Sequence, residues 1–88
     1  MARKALILNA KDNVATALVD LSGGASLVVS SPDGSELNVL LRQDIPLGHK
    51  FALAPIPSGA QVVKYGVPIG AATQDIDEGE HVHVHNLA

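Results

Sequence analysis

Cysteine is absent from the 88 residues of this chain. Its absence excludes disulfide bonds and metal sites built on thiolate ligands. The redox compartment in which the protein works is left open by this chemistry.

Aromatic residues are almost absent as well, since Phe51 and Tyr65 are the only two. The core must therefore be built from Val, Ile, Leu and Ala. A partner that covers part of the apolar surface is an alternative, but an aliphatic core alone is the more common arrangement.

Basic charge is scarce too. Six Lys and Arg residues against nine acidic residues give a net charge of −3, and the basic residues are scattered. Nucleic acids and anionic membranes bind clustered basic residues, so neither is expected as a partner. No apolar run approaches the roughly 20 residues of a membrane span, and the short run after Lys4 does not form a signal peptide. We expect a cytoplasmic protein.

The length of 88 residues predicts a single domain over residues 1–88. A chain of this size buries only about 60% of its unfolded surface, which allows one modest core. It is too small to be a whole enzyme.

Turn residues divide the chain into short segments. Strands are predicted at residues 4–9, 27–30 and 37–41, and the turn at 32–34 makes the last two a hairpin. Apolar residues at helical spacing over 14–21, with Asp12 or Asn13 as cap, predict one short helix. Beyond Asp44, frequent Pro and Gly predict short strands at 51–54, 62–65, 69–73 and 81–85. The pattern predicts a mainly β domain with one short helix and no internal repeat.

Three histidines alternate with valines near the C-terminus, at His81, His83 and His85. On a strand they would share one face, and Val82 and Val84 would face the core. Imidazoles two residues apart can converge on one divalent ion, but three in line do not reach it easily. Two of them with a residue from elsewhere are the expected ligand set. The alternative is a solvent-exposed polar face whose histidines bind nothing.

The fourth histidine, His49, follows Gly48 and directly precedes Lys50. This pair could supply a further metal ligand, a general base or a cation for a carboxylate substrate, or it could be a solvated loop. Glu80 is a candidate ligand or hydrogen-bond partner of an imidazole, although acidic turns before strands are usually just solvated.

Several segments together resemble the SAF-type domain of the altronate/galactarate dehydratase family. They are Gly-His-Lys at 48–50, Lys-Tyr-Gly-Val-Pro-Ile-Gly at 64–70 and Gly-Glu-His-Val-His at 79–83, with Asp-Asn-Val-Ala-Thr-Ala-Leu at 12–18. The resemblance covers nearly the whole chain.

The resemblance implies a β-clip fold and a role in a metal-dependent hydro-lyase acting on a sugar acid such as altronate or galactarate. It implies a divalent metal, Fe²⁺ or Mn²⁺, and a large catalytic dehydratase subunit as partner, without which the chain is inactive. The domain would be a separate small subunit or the N-terminal part of a longer chain. Alternatives are the small subunit of a sulfolactate sulfo-lyase and a non-catalytic ligand-binding SAF module. A homo-oligomer is left open.

The same resemblance gives the expected site. His49 and Lys50 are candidate catalytic residues. Lys50 and Asn86 are candidate ligands of the carboxylate substrate. The candidate metal ligands are His81, His83 and His85. The resemblance does not settle which of these histidines bind the metal.

Overall fold

The strands of this protein are short and are joined by tight turns. A computed structural model describes residues 3–88, and within them it contains eight strands and no helix. The strands are β1 (Ala5–Leu6), β2 (Val14–Ala17), β3 (Ser26–Ser30), β4 (Glu36–Leu40), β5 (Lys50–Ala52), β6 (Gln61–Lys64), β7 (Val67–Ala71) and β8 (His81–Val82). The prediction of a mainly β domain is confirmed.

The strands form one four-stranded antiparallel sheet and two hairpins. The sheet has the order β1-β2-β5-β8, and the hairpins are β3-β4 and β6-β7. The β3-β4 hairpin is the one predicted from the turn at residues 32–34. The sheet brings the strand that follows His49 beside the strand that begins at His81.

The predicted helix over residues 14–21 is wrong, because the chain there forms β2. All four residues of β2 are buried, since cores cover both faces of the sheet. Ala15 and Ala17 face one core and Val14 faces the other. A strand buried on both faces lacks the alternation of polar and apolar residues, so its pattern resembled that of a helix.

Asp12 and Asn13 bond to loops and to β6 instead of capping a helix. Asp12 Oδ1 accepts a hydrogen bond from the N–H of Gly66 at 2.7 Å. Asn13 Oδ1 accepts one from the N–H of Val63, also at 2.7 Å. The two polar side chains therefore fasten the β6-β7 hairpin to the start of β2.

Two apolar clusters form the core, one on each face of the four-stranded sheet. The first is the larger and contains Ala5, Ile7, Ala15, Ala17, Leu21, Val29, Val39, Leu41, Ile45, Phe51 and Leu53. The second contains Val14, Ala52, Ile56, Val62, Ala72, Ile76 and Val82. Phe51 is fully buried and is the one aromatic residue in these clusters.

One turn geometry recurs four times, which corrects the prediction of no internal repeat. Each copy begins with Leu or Ile and has Gly at its fourth residue, with positive φ between 81° and 89°. In each copy the N–H of the next residue donates back to the carbonyl of the turn's second residue, and the Gly N–H donates to a carbonyl elsewhere in the fold. The copies are residues 21–24, 45–48, 56–59 and 76–79.

The four turns associate in pairs. Leu21 bridges to Ile45, and Ile56 bridges to Ile76. Asp20 and Asp44 each accept a backbone N–H from the opposite turn of the first pair, both at 2.8 Å. The second pair has one such bond, from Ser58 to an Asp75 carboxylate oxygen. The repeat is hard to read in the sequence because it consists of only an apolar residue and a glycine three positions later.

Within residues 3–88 there is no helix long and apolar enough to cross a membrane.

Candidate metal centre

The histidine segment begins as a strand but does not continue as one. β8 ends at Val82, which is fully buried, and the chain then turns through residues 83–86. Val84 is 82% exposed and does not face the core. The prediction of a five-residue strand with three histidines on one face is therefore wrong beyond Val82.

Asn86 holds this turn in place. Its side chain is fully buried, its Nδ2 donates to the carbonyl of His81 at 2.9 Å, and its Oδ1 accepts from the N–H of His83 at 3.0 Å. The backbone N–H of Asn86 also donates to the carbonyl of His83. The amide expected to contact substrate is thus occupied in fixing the backbone of His81 and His83.

Two of the three C-terminal histidines meet His49. His49 Nδ1 and His81 Nε2 are 2.8 Å apart, a hydrogen bond that one of the two rings donates. One ligand nitrogen from each of His49, His81 and His83 lies within 4.8 Å of the others. The three rings are stacked, with the centroids of His49 and His83 4.1 Å apart. The structure thus brings two of the alternating histidines, His81 and His83, together with His49 from another part of the chain.

His85 lies beside this group but outside it. Its ring centroid is 5.3 Å from that of His81 and the two rings are tilted by 37°. The side chain is exposed, whereas the other three histidines are half-buried.

The cluster fits a divalent cation in two respects. Nδ1 of His83 is buried and has no hydrogen-bond partner among residues 3–88. A buried polar atom without a partner is costly, and a bound ion would satisfy it. Two nitrogens on one ion lie at most about 4.2 Å apart, because each is about 2.1 Å from the ion. The spread of the three nitrogens is close to this limit.

The environment favours the neutral form of two of these imidazoles by lowering their pKa values. Partial burial, together with the charges of His49, His85, His83 and Lys50, lowers the pKa of His81. Desolvation also lowers the pKa of His83, with His49, Lys50 and His85 adding to the effect. A neutral imidazole is the form that binds a metal ion.

Lys50 lies on the opposite face of the sheet from His49 but close to the histidines. It pairs with Thr16 on one side and with Val82 on the other, and it is half-buried. Burial lowers the pKa of its ammonium group, and the charge of Lys64 lowers it further.

Two other polar residues lie at or near the centre. Gln43 Oε1 accepts the N–H of His81 at 2.9 Å, a contact that no pattern in the sequence predicts. Glu80 does not join the cluster, since its Oε1 accepts the N–H of Asp77 within the preceding turn. A cavity of about 360 Å³ lies elsewhere, between Lys4 and Val28.

Comparison with known proteins decides the family. A family model described as the altronate/galactarate dehydratase SAF domain matches residues 3–88. The chain belongs to this SAF domain family.

Relatives of two sizes share the SAF domain. It is 52% identical over 79 residues to altronate dehydratase of Escherichia coli K12, covering 90% of this chain but 15% of that enzyme. Altronate dehydratase of Bacillus subtilis 168 is 43% identical to this chain over 79 residues, which again cover 90% of this chain and 15% of that enzyme. The chain thus spans about one-seventh of the length of these two relatives.

The second kind of relative is small. The chain is 42% identical over 60 residues to the (2R)-sulfolactate sulfo-lyase subunit alpha of Paracoccus pantotrophus, covering 68% of this chain and 90% of that subunit. A SAF domain therefore constitutes nearly the whole of one relative and a small part of others. The chain is a domain associated with lyases.

Proposed function

We propose that this SAF domain supplies the metal-binding histidines of a hydro-lyase that removes water from a sugar acid such as altronate or galactarate. The observation that supports this most directly is the convergence of His49, His81 and His83. It is joined by a buried nitrogen on His83 that no atom of residues 3–88 hydrogen-bonds. The names of two relatives, altronate dehydratase and galactarate dehydratase of Escherichia coli K12, support this substrate class.

A bound divalent cation would act as a Lewis acid on the oxygens of the substrate. The chain's own residues would prepare the site for it. His49, His81 and His83 would bind the ion in their neutral form, and Asn86 would hold the backbone on which two of them lie. We assign Asn86 this positioning role and not direct contact with substrate.

Lys50 and His85 are the nearby groups left for the substrate. Dehydration β to a carboxylate requires a cation for that carboxylate and a base that takes the proton α to it. Lys50 would pair with the carboxylate. With His49 engaged as a ligand, the exposed imidazole of His85 is the group in this chain best placed to move a proton, unless the partner supplies the base.

Imidazole donors favour Fe²⁺ over Mn²⁺. Mn²⁺ prefers carboxylate and water oxygens, whereas imidazole suits Fe²⁺ and also Zn²⁺. Three histidines without a carboxylate therefore support Fe²⁺, with a carboxylate from the substrate or the partner completing its coordination.

The remaining machinery would come from a large catalytic partner, as a separate subunit or as the rest of a longer chain. This accords with the small share of the altronate dehydratases that the domain covers. Apolar side chains next to the histidines, Val84 at 82% and Leu47 at 60% exposure, are suited to contact with that partner.

A second candidate is the small subunit of a sulfolactate sulfo-lyase. It is favoured by the 90% coverage of the subunit alpha from Paracoccus pantotrophus. The two candidates share the metal site and differ in the leaving group, which is water in one and sulfite in the other.

Reconstitution tests the proposal. The chain is mixed with the large dehydratase component and Fe²⁺ or Mn²⁺, and lyase activity is measured on altronate, galactarate and sulfolactate. We expect no turnover by the chain alone and turnover of one substrate by the mixture. The variant His81→Ala combined with His83→Ala should remove activity. Full activity of that variant would disprove the site, and tight binding of a sugar acid without turnover would indicate a non-catalytic module.

A further inference from the structure

Lys50 and three other side chains gather on the face of the sheet away from His49. We call them the lysine–tyrosine cluster: Thr16, Lys50, Lys64 and Tyr65. Thr16 and Lys50 are direct partners in the pairing of β2 with β5, so their side chains lie on the same face. The hydroxyl of Tyr65 donates a hydrogen bond to Oγ1 of Thr16 at 3.2 Å.

The backbone places Tyr65 at this position against its local preference. Tyr65 and Gly66 form the two-residue turn of the β6-β7 hairpin, and both have positive φ, 55° and 79°. Turns of this type favour Asn or Gly at the first position, and a bulky residue there is unusual. Backbone strain of this kind is concentrated at functional sites.

The surrounding structure fixes that turn firmly. The N–H of Gly66 donates to Asp12 Oδ1, while Oδ2 of the same carboxylate accepts the N–H groups of Leu8 and Asn9. A side chain at residue 66 would overlap Asn9, whose Nδ2 would lie 2.7 Å from the added carbon. The backbone of Tyr65 is therefore held by contacts that its neighbour Gly66 makes with Asp12 and Asn9.

The cluster concentrates positive charge in a chain of net charge −3. Nζ of Lys64 lies 4.9 Å from the centroid of the Tyr65 ring. Lys64 is next to Tyr65 in the chain, and the hydroxyl of Tyr65 bonds to Thr16, the direct partner of Lys50 in the sheet. Two ammonium groups in mutual repulsion, with a phenol beside them, form a site to which an anion would be attracted.

The cluster is also within electrostatic reach of the metal centre. Lys50 directly follows His49 and pairs with Val82, the residue between His81 and His83.

We propose that the lysine–tyrosine cluster binds a carboxylate of a hydroxy-acid ligand, through the two ammonium groups and the tyrosine hydroxyl. On binding, the tyrosine hydroxyl turns its proton from Thr16 to the carboxylate, and the Thr16 hydroxyl donates to the tyrosine oxygen in its place. Thr16 orients the hydroxyl, and Tyr65 and Lys64 determine where the acid lies. The inference rests on the proposed function for the substrate class only, since binding of the acid requires neither metal nor turnover.

The test is a titration of the full chain with tartrate, a small dicarboxylic hydroxy acid, in the presence of EDTA. Binding is followed by amide chemical shifts and by calorimetry. We expect saturable shifts at the amides of Lys64, Tyr65 and Gly66. Lys64→Met should weaken tartrate binding roughly tenfold, because hydrogen bonds to charged groups contribute more than neutral ones. Tyr65→Phe should weaken it roughly three- to tenfold.

Lys4→Met is the matched control. It removes the same charge from an exposed residue that lines the cavity beside Val28, and it should leave tartrate binding unchanged. Circular dichroism checks that each variant folds. The inference is overturned if Lys64→Met and Tyr65→Phe bind tartrate as the control does. Equal shifts with sodium chloride, or no saturable shift with the unmodified chain, would overturn it too.

A further variant separates this inference from the proposed function. His83→Ala should lose metal binding and retain tartrate binding. Tartrate binding by a chain that supports no lyase activity would uphold the cluster and contradict the hydro-lyase. If Lys64→Met changed neither the KM of the lyase reaction nor the affinity for tartrate, the cluster alone would be contradicted.

Discussion

Nδ1 of His83 is a buried nitrogen without a hydrogen-bond partner in the described part of the chain, and it lies beside two histidines that already share a hydrogen bond. The sequence predicted that two of the alternating histidines would need a third ligand from elsewhere. It could not predict that His85 would lie outside the group of converging histidines. That outcome depends on where β8 ends, and the end is set by the buried amide of Asn86.

The residue scale gives a first prediction on metal binding. His83→Ala should weaken binding of Fe²⁺ or Zn²⁺ by more than tenfold, since even the loss of residues that only orient metal ligands costs about 10–100-fold. His85→Ala, the matched control, should change the affinity little. Competition with a chromogenic chelator measures both. Equal losses in the two variants would contradict the ligand set.

A second prediction concerns the pH dependence of the metal-free chain. The pKa values of His81 and His83 are lowered from 6.5 in the folded state, so below that pH the unfolded chain binds more protons than the folded one. Stability is therefore fully present above pH 6.5 and falls as the pH drops below it. Urea unfolding in EDTA between pH 7.5 and 5 measures this. The double variant His81→Gln, His83→Gln should show a flatter dependence.

At the scale of elements, the turn after β8 depends on one side chain. Asn86→Ala would leave the His81 carbonyl and the His83 N–H without partners, each costing about 1–3 kcal/mol if they stay buried. We expect lower stability and weaker metal binding together. Asn38→Ala, on an exposed position of β4, is the control. Retention of wild-type metal affinity by Asn86→Ala would show that the amide does not position the histidines.

The repeated turns allow a matched comparison of two glycines. Gly59 and Gly79 occupy equivalent positions with φ of 85° and 81°. An added methyl group at Gly59 meets nothing within 4 Å, whereas at Gly79 it would overlap the carbonyl oxygen of Leu40. Gly59→Ala should cost about 1–2 kcal/mol for its left-handed backbone. Gly79→Ala should cost about 1–3 kcal/mol more for the overlap, as measured by chemical unfolding. Equal costs would contradict the packing described here.

Elements were predictable where local residues determine them. Pro32 and Gly34 were enough to place the β3-β4 hairpin. The sequence failed at β2, whose burial on both faces arises from distant parts of the chain. It failed again at the four turns, because an apolar residue and a glycine are too common to be recognised as a repeat before their pairing is seen.

At the scale of the whole molecule, both apolar clusters share the strands β2 and β5. Phe51 belongs to the larger cluster and Ala52, its neighbour, to the smaller. Neither cluster can lose its packing without exposing a face of the same sheet. The fold should therefore behave as one cooperative unit.

Two core variants test this cooperativity. Phe51→Leu and Ile76→Val each remove part of one cluster and should each cost roughly 1 kcal/mol. Both should lower the midpoint of a single thermal transition seen by calorimetry and by circular dichroism. Two separate transitions, each sensitive to one variant, would contradict a shared core.

The candidate ligands His49 and His81 are 32 residues apart in the chain. His49 follows a turn of the first pair, at residues 45–48, and His81 follows a turn of the second pair, at residues 76–79. A cut between Ala54 and Pro55 would leave His49 on one fragment and His81 with His83 on the other. A metal ion bound by His49, His81 and His83 would then hold the two fragments together. In the intact chain the same ion would make the stability of the fold depend on the supply of metal, because the three histidines converge only when the chain is folded.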